Sequence, residues 1–435
     1  MNPAQGKKVL VVLPDTSIPP YTAARINRLV RMYFPEPQHR LRFAVPGSAA
    51  PYAGHFDSSV EPLRDAMVNE ADIFVVSETL RGSLPLSDAR RYYTIEHNHW
   101  HVMLTLHSQA IDEHDYPWLN AHEFNKLAPR EGYNRRNFFP FGYNFRECGN
   151  AGPLDAFGFR LDKDVEALRD RPSQHKLIAV IGGSAAGSWY AFFDELFSQR
   201  LEVLLNEQAA ERGTGETFTV LNFAQGGTIV LHHMIVWMLH VERLRPEIVI
   251  SHDGYNDLLW GLNADPFLMN RAICAPSFFE SWCQKLHDRQ DVAVRFPPGE
   301  TMHVVNPPRK VVEQYVERKL QLDRWIRSSG ANHISALQPH AQSKRLSSIE
   351  IECLNNPRYN GNFAELYKRV PPLYDAVREA LRSHAELPFF DLHEYFGRFG
   401  EGETLFCDYM HTTPAGDEVL ARAYYDWILD RALTA

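Results

Sequence analysis

Short runs rich in Val, Ile and Leu recur along this chain, separated by longer stretches whose apolar residues follow helical spacing. A strand covered on both faces reads as a continuous apolar run, so this alternation predicts parallel sheets flanked by helices, an α/β fold. Strands are expected at 9–14 (VLVVLP), 40–46, 72–77 and 101–108, with helices over YTAARINRLVRMYF and VEPLRDAMVNEA between them. The alternation restarts at Lys176, with strands expected at 177–182, 218–224, 247–252, 333–339 and 388–392. At 435 residues the chain exceeds the usual single domain. The reading is a smaller α/β domain over 1–125, a polar connector over 126–154, and a second α/β domain over 155–435. An insertion with little periodicity is expected at about 262–308, framing a substrate.

Composition narrows the function classes. Hydrophobic residues make up 44% and charged residues 23%, ordinary values for a globular chain. A net charge of −9 argues against a nucleic acid or an anionic membrane as partner, since both select a basic face. The apolar run after Lys7-Lys8 ends at Pro14, too short for a signal-peptide core, and no run is long enough to span a bilayer. The five cysteines are scattered, with no C-x-x-C pair, so neither a disulfide framework nor a zinc knuckle is expected. A cytoplasmic location is the expectation, with association with a second copy left open.

Four segments at expected strand ends carry chemistry. KLIAVIGGS ends a strand in two glycines and Ser184. On its own that is an ordinary strand-to-helix turn. LNFAQGG ends at Gly227, HDGYND carries Asn256, and CDYMH sets Asp408 and His411 three residues apart before a C-terminal helix. In open α/β sheets, sites form at this edge. Acyl transfer needs a nucleophile, a base and donors for the oxyanion. Ser184 is the candidate nucleophile, His411 the base, and Asp408 the group that orients it. The amides of Ser184 and Gly227, with the Asn256 side chain, are the candidate oxyanion hole.

In this order, G-G-S (182–184), N-x-A-x-G-G (222–227), G-x-N-D (254–257) and D-x-x-H (408–411) resemble the four blocks of the SGNH, or GDSL-type, serine hydrolases. The lead-in DAFGFR resembles the element that precedes the nucleophile strand in that family. The resemblance spans roughly residues 155–435. It implies a flavodoxin-like sheet with helices on both faces, esterase or acyltransferase chemistry on Ser184, and no metal or organic cofactor. The chain departs from the pattern at Gly183, where the family usually has Asp, and in a long interval between Asn256 and Asp408. The implied substrate is a small carboxylic ester, such as an O-acylated sugar or metabolite. An acyltransferase using an alcohol or amine acceptor is the alternative, and a non-catalytic binding module on the same fold is the rival class.

Other residues receive plainer readings. His97, His99, His101 and His107 would share a face if extended, a pattern that suits a transition metal or a polar edge. His232 and His233 open a helix, as cap, surface or cleft residues. His252 and Asp253 are read as strand support, and Trp260 and Trp282 as core or substrate-framing aromatics. Phe193, Leu196, Phe197, Leu201 and Leu204, with Trp189, share one expected helical face. The charges in PRKVVEQYVERKLQLDRWIRSSG are read as a solvated helix face. The N-terminal domain lacks a G-x-G-x-x-G or Walker motif.

Overall fold

A computed structural model describes residues 7–14, 18–34, 39–46, 56, 59–80, 84, 92–97 and 102–107, then 153, 155, 159–188, 191–263, 306–355 and 368–431. The chain divides into two compact units. The expected connector and most of the expected insertion lie outside the described residues.

The first unit holds a six-stranded sheet in the order β3-β2-β1-β4-β5-β6. Its strands are β1 Lys7–Val12, β2 His39–Val45, β3 Val60–Pro62, β4 Ile73–Ser77, β5 Tyr92–His97 and β6 Val102–His107. All pairs are parallel except β5 with β6. Between β1 and β2, α1 Pro20–Tyr33 buries Ala23, Ile26, Leu29 and Val30 at helical spacing. Two elements differ from the sequence reading. Val60–Pro62, expected as helix, pairs with β2 as a short edge strand, and the helix is confined to α2 Asp65–Glu70. Proline at that strand's end is tolerated because only an edge strand spares its N–H. β5 was not anticipated, because Tyr-Tyr-Thr-Ile lies in polar sequence and lacks the apolar run of a central strand.

The second unit is a five-stranded, wholly parallel sheet in the order β11-β10-β9-β7-β8. Its strands are β7 His175–Gly182, β8 Thr217–Asn222, β9 Ile248–Asp253, β10 Asn332–Leu337 and β11 Phe389–Asp391. Counted from β7, this is the doubly wound order of flavodoxin-like sheets. Alternate side chains leave opposite faces, as the pleat requires. Leu177, Ala179 and Ile181 join one core with α4 Val230–Val236, α5 Tyr255–Asn263, α6 Pro308–Ser328 and α8 Tyr374–Arg382. Ile178 and Val180 join the other core with α3 Phe197–Arg212, α9 Leu392–Phe396 and α10 Pro414–Asp430. Helix α3 begins at Phe197, later than the apolar face in the sequence suggests. Phe193 lies in a separate 3₁₀ turn closed by Glu195, whose carboxylate takes the Phe192 N–H at 2.9 Å.

Buried charges pin the loops of this unit. Glu350 on α7 Ser348–Asn355 accepts the N–H groups of Leu405 and Phe406 through Oε1. Through Oε2 it accepts Lys344 Nζ at 2.7 Å and the Ser347 N–H at 2.7 Å. Glu350→Ala strands a buried ammonium and three amides, and should cost ~3–5 kcal/mol of stability. The expected result is a lower urea midpoint at unchanged slope.

Candidate active site

β7 delivers Ser184 to the sheet edge through a turn that only glycine permits. A Cβ on Gly182 would lie 2.4 Å from the His252 carbonyl oxygen, so β7 and β9 close together at their ends. The Gly182 carbonyl in turn accepts the Gln225 N–H at 3.0 Å and the Thr228 hydroxyl at 2.9 Å, which draws in the loop after β8. A Cβ on Gly183 would stand 2.7 Å from Asn256 Nδ2. The residue that departs from the Gly-Asp-Ser pattern is therefore the one over which the Asn256 amide lies. The turn is braced from behind. Buried Arg160 donates to the carbonyls of Gly187, Ser188 and Ala191, and Asn222 Nδ2 donates to the Ala186 carbonyl. Those contacts hold Ser188 at a left-handed φ of 46°.

The Asp408–His411 segment is shaped by its own carboxylate. Asp408 Oδ1 accepts the N–H groups of Met410 and His411, both at 2.8 Å, which folds the segment into an Asx-type turn. Asp408 Oδ2 is 2.6 Å from His411 Nδ1, and His411 Nε2 is 2.7 Å from Ser184 Oγ. With Nδ1–H donated to the carboxylate, Nε2 is left to accept the Ser184 hydroxyl. Burial opposes charge on Asp408, but His411 and the two amides outweigh it and hold the carboxyl below the ordinary aspartate range. Ser184 is half-buried, and no protein acceptor takes its N–H among the described residues.

Gly227 occupies the turn after β8 with φ of 74°. Asn256 Nδ2 donates one N–H to the Thr228 carbonyl at 3.0 Å. Its other N–H is left over the nucleophile turn. The five residues singled out by sequence thus lie in the turns and the first helical turn (Asn256 on α5) that follow the strands of one sheet, with Ser184, His411 and Asp408 in direct hydrogen-bonded contact.

A second serine–histidine–aspartate chain runs through the same unit. Ser251 Oγ is 2.9 Å from His333 Nε2, and His333 Nδ1 is 2.9 Å from Asp323 Oδ1. Ser251 is 0% exposed and also takes Lys319 Nζ at 2.7 Å, so no carbonyl carbon can approach it. Burial and the Lys319 ammonium distinguish Ser251 from Ser184.

The remaining sequence candidates have structural settings. His232 and His233 are both buried, so neither is a surface residue. His232 Nδ1 accepts the Ile229 N–H, and His252 Nδ1 pairs with Tyr424 Oη at 2.8 Å. Burial pushes both His232 and His252 down to about 3, which keeps them neutral. The charges of α6 are not all solvated: Lys319 and Asp323 are buried, paired with Asp253 and His333. They sit on the same stripe as Tyr315, Leu322 and Ile326, a spacing that marks them as inward-facing. Trp260 packs half-buried against the core. Trp189 and Trp282, and the side chains of the His97–His107 cluster, lie outside the described residues. Among the described residues no group of His, Cys, Asp and Glu could hold a metal ion. Arg160, Thr228 and Glu350 are support residues that sequence reasoning missed. Arg160 ends the DAFGFR segment, but nothing local shows where a guanidinium will reach.

No family model matches the chain, and no curated protein matches it. Among solved structures, it is similar to a lipase/acylhydrolase from Enterococcus faecalis at 17% identity, covering 59% of this chain and 96% of that one, with a TM-score of 0.35. An α/β hydrolase, LAE5, from the metagenome of Lake Arreo is 16% identical over 58% of this chain and 94% of its own, with a TM-score of 0.34. The acetylxylan esterase Axe2 from Geobacillus stearothermophilus gives 16%, 58%, 94% and 0.34 in the same measures. At these scores the likeness carries no argument about activity.

Two tests address this geometry. Gly183→Ala should keep the fold, because only the tip of Asn256 must move, yet lower ester turnover; circular dichroism and steady-state rates check both halves. The second concerns Asp257, whose Oδ1 accepts the Val230 N–H at 3.0 Å while Oδ2 has no hydrogen-bond partner. Burial, with the Asp253 carboxylate nearby, pushes the Asp257 carboxyl from 3.8 up to about 8. An acid that keeps its proton longer when folded contributes stability below its unfolded value, and loses that contribution as pH rises through the folded one. Stability should therefore fall between pH 3.8 and about 8, and Asp257→Asn should flatten that slope in urea titrations. Asp417, raised to about 7 by burial, contributes over much of the same window, so the slope is reduced rather than abolished.

Proposed function

We propose that this chain is a serine hydrolase of the SGNH type that acts on a small carboxylic ester through an acyl-enzyme on Ser184. The observation that carries the reading is the His411 imidazole bridging half-buried Ser184 Oγ and Asp408, with the Asn256 amide over the preceding Gly183. Ser184 Oγ attacks the ester carbonyl carbon while its proton passes to His411 Nε2. The carbonyl oxygen becomes an oxyanion facing the N–H groups of Ser184, Gly227 and Asn256. Collapse breaks the bond to the alcohol, which leaves with the proton from His411. Water then repeats the cycle on the acyl-enzyme, with His411 again as base, and releases the acid and free Ser184. The buried, hydrogen-bonded Asp408 keeps the imidazole oriented and supports its charge.

Substitution of an alcohol or amine for water turns the same intermediate to acyl transfer. No step calls on a metal or an organic cofactor, and the partner is the small ester itself, such as an O-acylated sugar or metabolite. No described helix is long and apolar enough to cross a membrane.

Intact-mass spectrometry after fluorophosphonate treatment tests the reading. Wild type should gain one phosphonyl adduct and Ser184→Ala none. Asn256→Ala should remain folded but turn over p-nitrophenyl acetate ~10²–10³-fold more slowly. A wild type that gains no adduct, or a Ser184→Ala variant with full activity, would contradict it.

A further inference from the structure

Below the loop that carries Gly227 lies a chain of buried polar groups for which ester hydrolysis has no direct use. Its first member is Thr228, which is 1% exposed. Thr228 Oγ1 lies 2.9 Å from the Gly182 carbonyl, 2.9 Å from the Gln225 carbonyl and 3.0 Å from His233 Nε2. Two carbonyls facing one hydroxyl require its hydrogen. Thr228 therefore donates towards them and accepts the His233 Nε2–H. The Thr228 carbonyl is the acceptor that holds Asn256 Nδ2.

On its other side, His233 Nδ1 stands 3.4 Å from Asp253 Oδ2. Asp253 also accepts Tyr315 Oη at 2.8 Å and Lys319 Nζ at 3.1 Å. Burial opposes charge on Asp253, but Lys319, His233 and Tyr315 outweigh it and hold the carboxyl low. Lys319 continues through Ser251, His333 and Asp323 to Arg327, which is partly exposed on α6. A buried ion pair is weak as a stabilising device, because a well-packed apolar pair of the same volume often does better. Stability alone does not explain a lysine with no exposed surface at this place.

We propose that His233 and Thr228 are positioning residues for the oxyanion hole. His233, lying beside the Asp253–Lys319 pair, donates to the Thr228 hydroxyl, and the Thr228 carbonyl holds the Asn256 amide over the nucleophile turn. The inference rests on the hydrolase reading. It adds two residues that touch no substrate but set where the third oxyanion donor sits. A donor misplaced by about an ångström loses much of its worth, which is why support behind it shows in the rate.

A double-mutant cycle tests this on the full chain, with p-nitrophenyl acetate as probe. Thr228→Val removes the hydroxyl at nearly constant shape and should lower kcat roughly tenfold to a hundredfold with KM little changed. Thr228→Ser should restore most of kcat. His233→Leu should behave like Thr228→Val, while His233→Gln, whose amide can donate to the same hydroxyl, should retain more activity. The deciding measurement is Thr228→Val in an Asn256→Ala background. If Thr228 acts through Asn256, the further loss should shrink to about twofold, because coupled residues are not additive. A full, multiplicative loss in that background, a change confined to KM, or an unchanged kcat overturns the inference and leaves the hydrolase reading standing. Wild type that neither hydrolyses the ester nor takes a fluorophosphonate adduct overturns both. Should Thr228→Val fail to fold, His233→Leu in the same background gives the same two outcomes.

Discussion

The approach of β7 to β9 at Gly182 is the constraint on which the rest of the site depends. A side chain there would collide with the His252 carbonyl, and the same residue's own carbonyl gathers Gln225 and Thr228 from the loop after β8. One glycine thus ties three strand ends within hydrogen-bonding reach of each other. The neighbouring Gly183 leaves room for the Asn256 amide. Ser184 follows, carried by a turn whose carbonyls are held from behind by Arg160. Charge-assisted hydrogen bonds to backbone carbonyls are among the stronger ones, so a guanidinium suits a turn with several acceptors facing inward.

The second unit keeps an unusual amount of charge in its interior. Lys344 and Glu350 meet with no exposed surface, and Lys319 meets Asp253 in the same way. Such groups are costly unless paired and hydrogen-bonded, and here the pairs brace the segments around the site rather than fill core. Glu350 fixes the strand-like lead into Asp408. Lys319 and Asp253 stand behind the loop of Thr228 and the helix that carries Asn256. The charges lie around the site, one layer below the groups that would meet substrate.

Much of the fold was legible because apolar periodicity is a local signal. The nine strands expected from Val/Ile/Leu runs and alternation all correspond to strands of the two sheets, with ends shifted by a residue or two. What escaped was short or polar. Val60–Pro62 gains its strand identity only by lying beside β2, and Tyr92–His97 only by lying between β4 and β6. The charged face of α6 was misread because Lys319 and Asp323 look like solvated residues until their partners on β9 and β10 are known. The candidate site was legible for a different reason. Ser184, Gly227, Asn256, Asp408 and His411 each stand at the end of an expected strand or just before a helix, and residue type together with that position suggests a role.

The sequence by itself determined the α/β character of the chain, the edge at which a site would form and the residue types gathered there. Those follow from pleat, helical period and turn chemistry, all of which act over a few residues. Only the tertiary structure decided how the serines of the two Ser–His–Asp chains are packed. Ser184 and Ser251 both contact a histidine that contacts an aspartate, and the second of these chains, with its serine inside a strand, leaves no sign in the sequence. One lies at the open end of β7 and the other is sealed between β9 and α6 beside a buried lysine. Reactivity requires both a base and access. Access is a property of the packed layers, which depend on contacts between residues far apart in the chain.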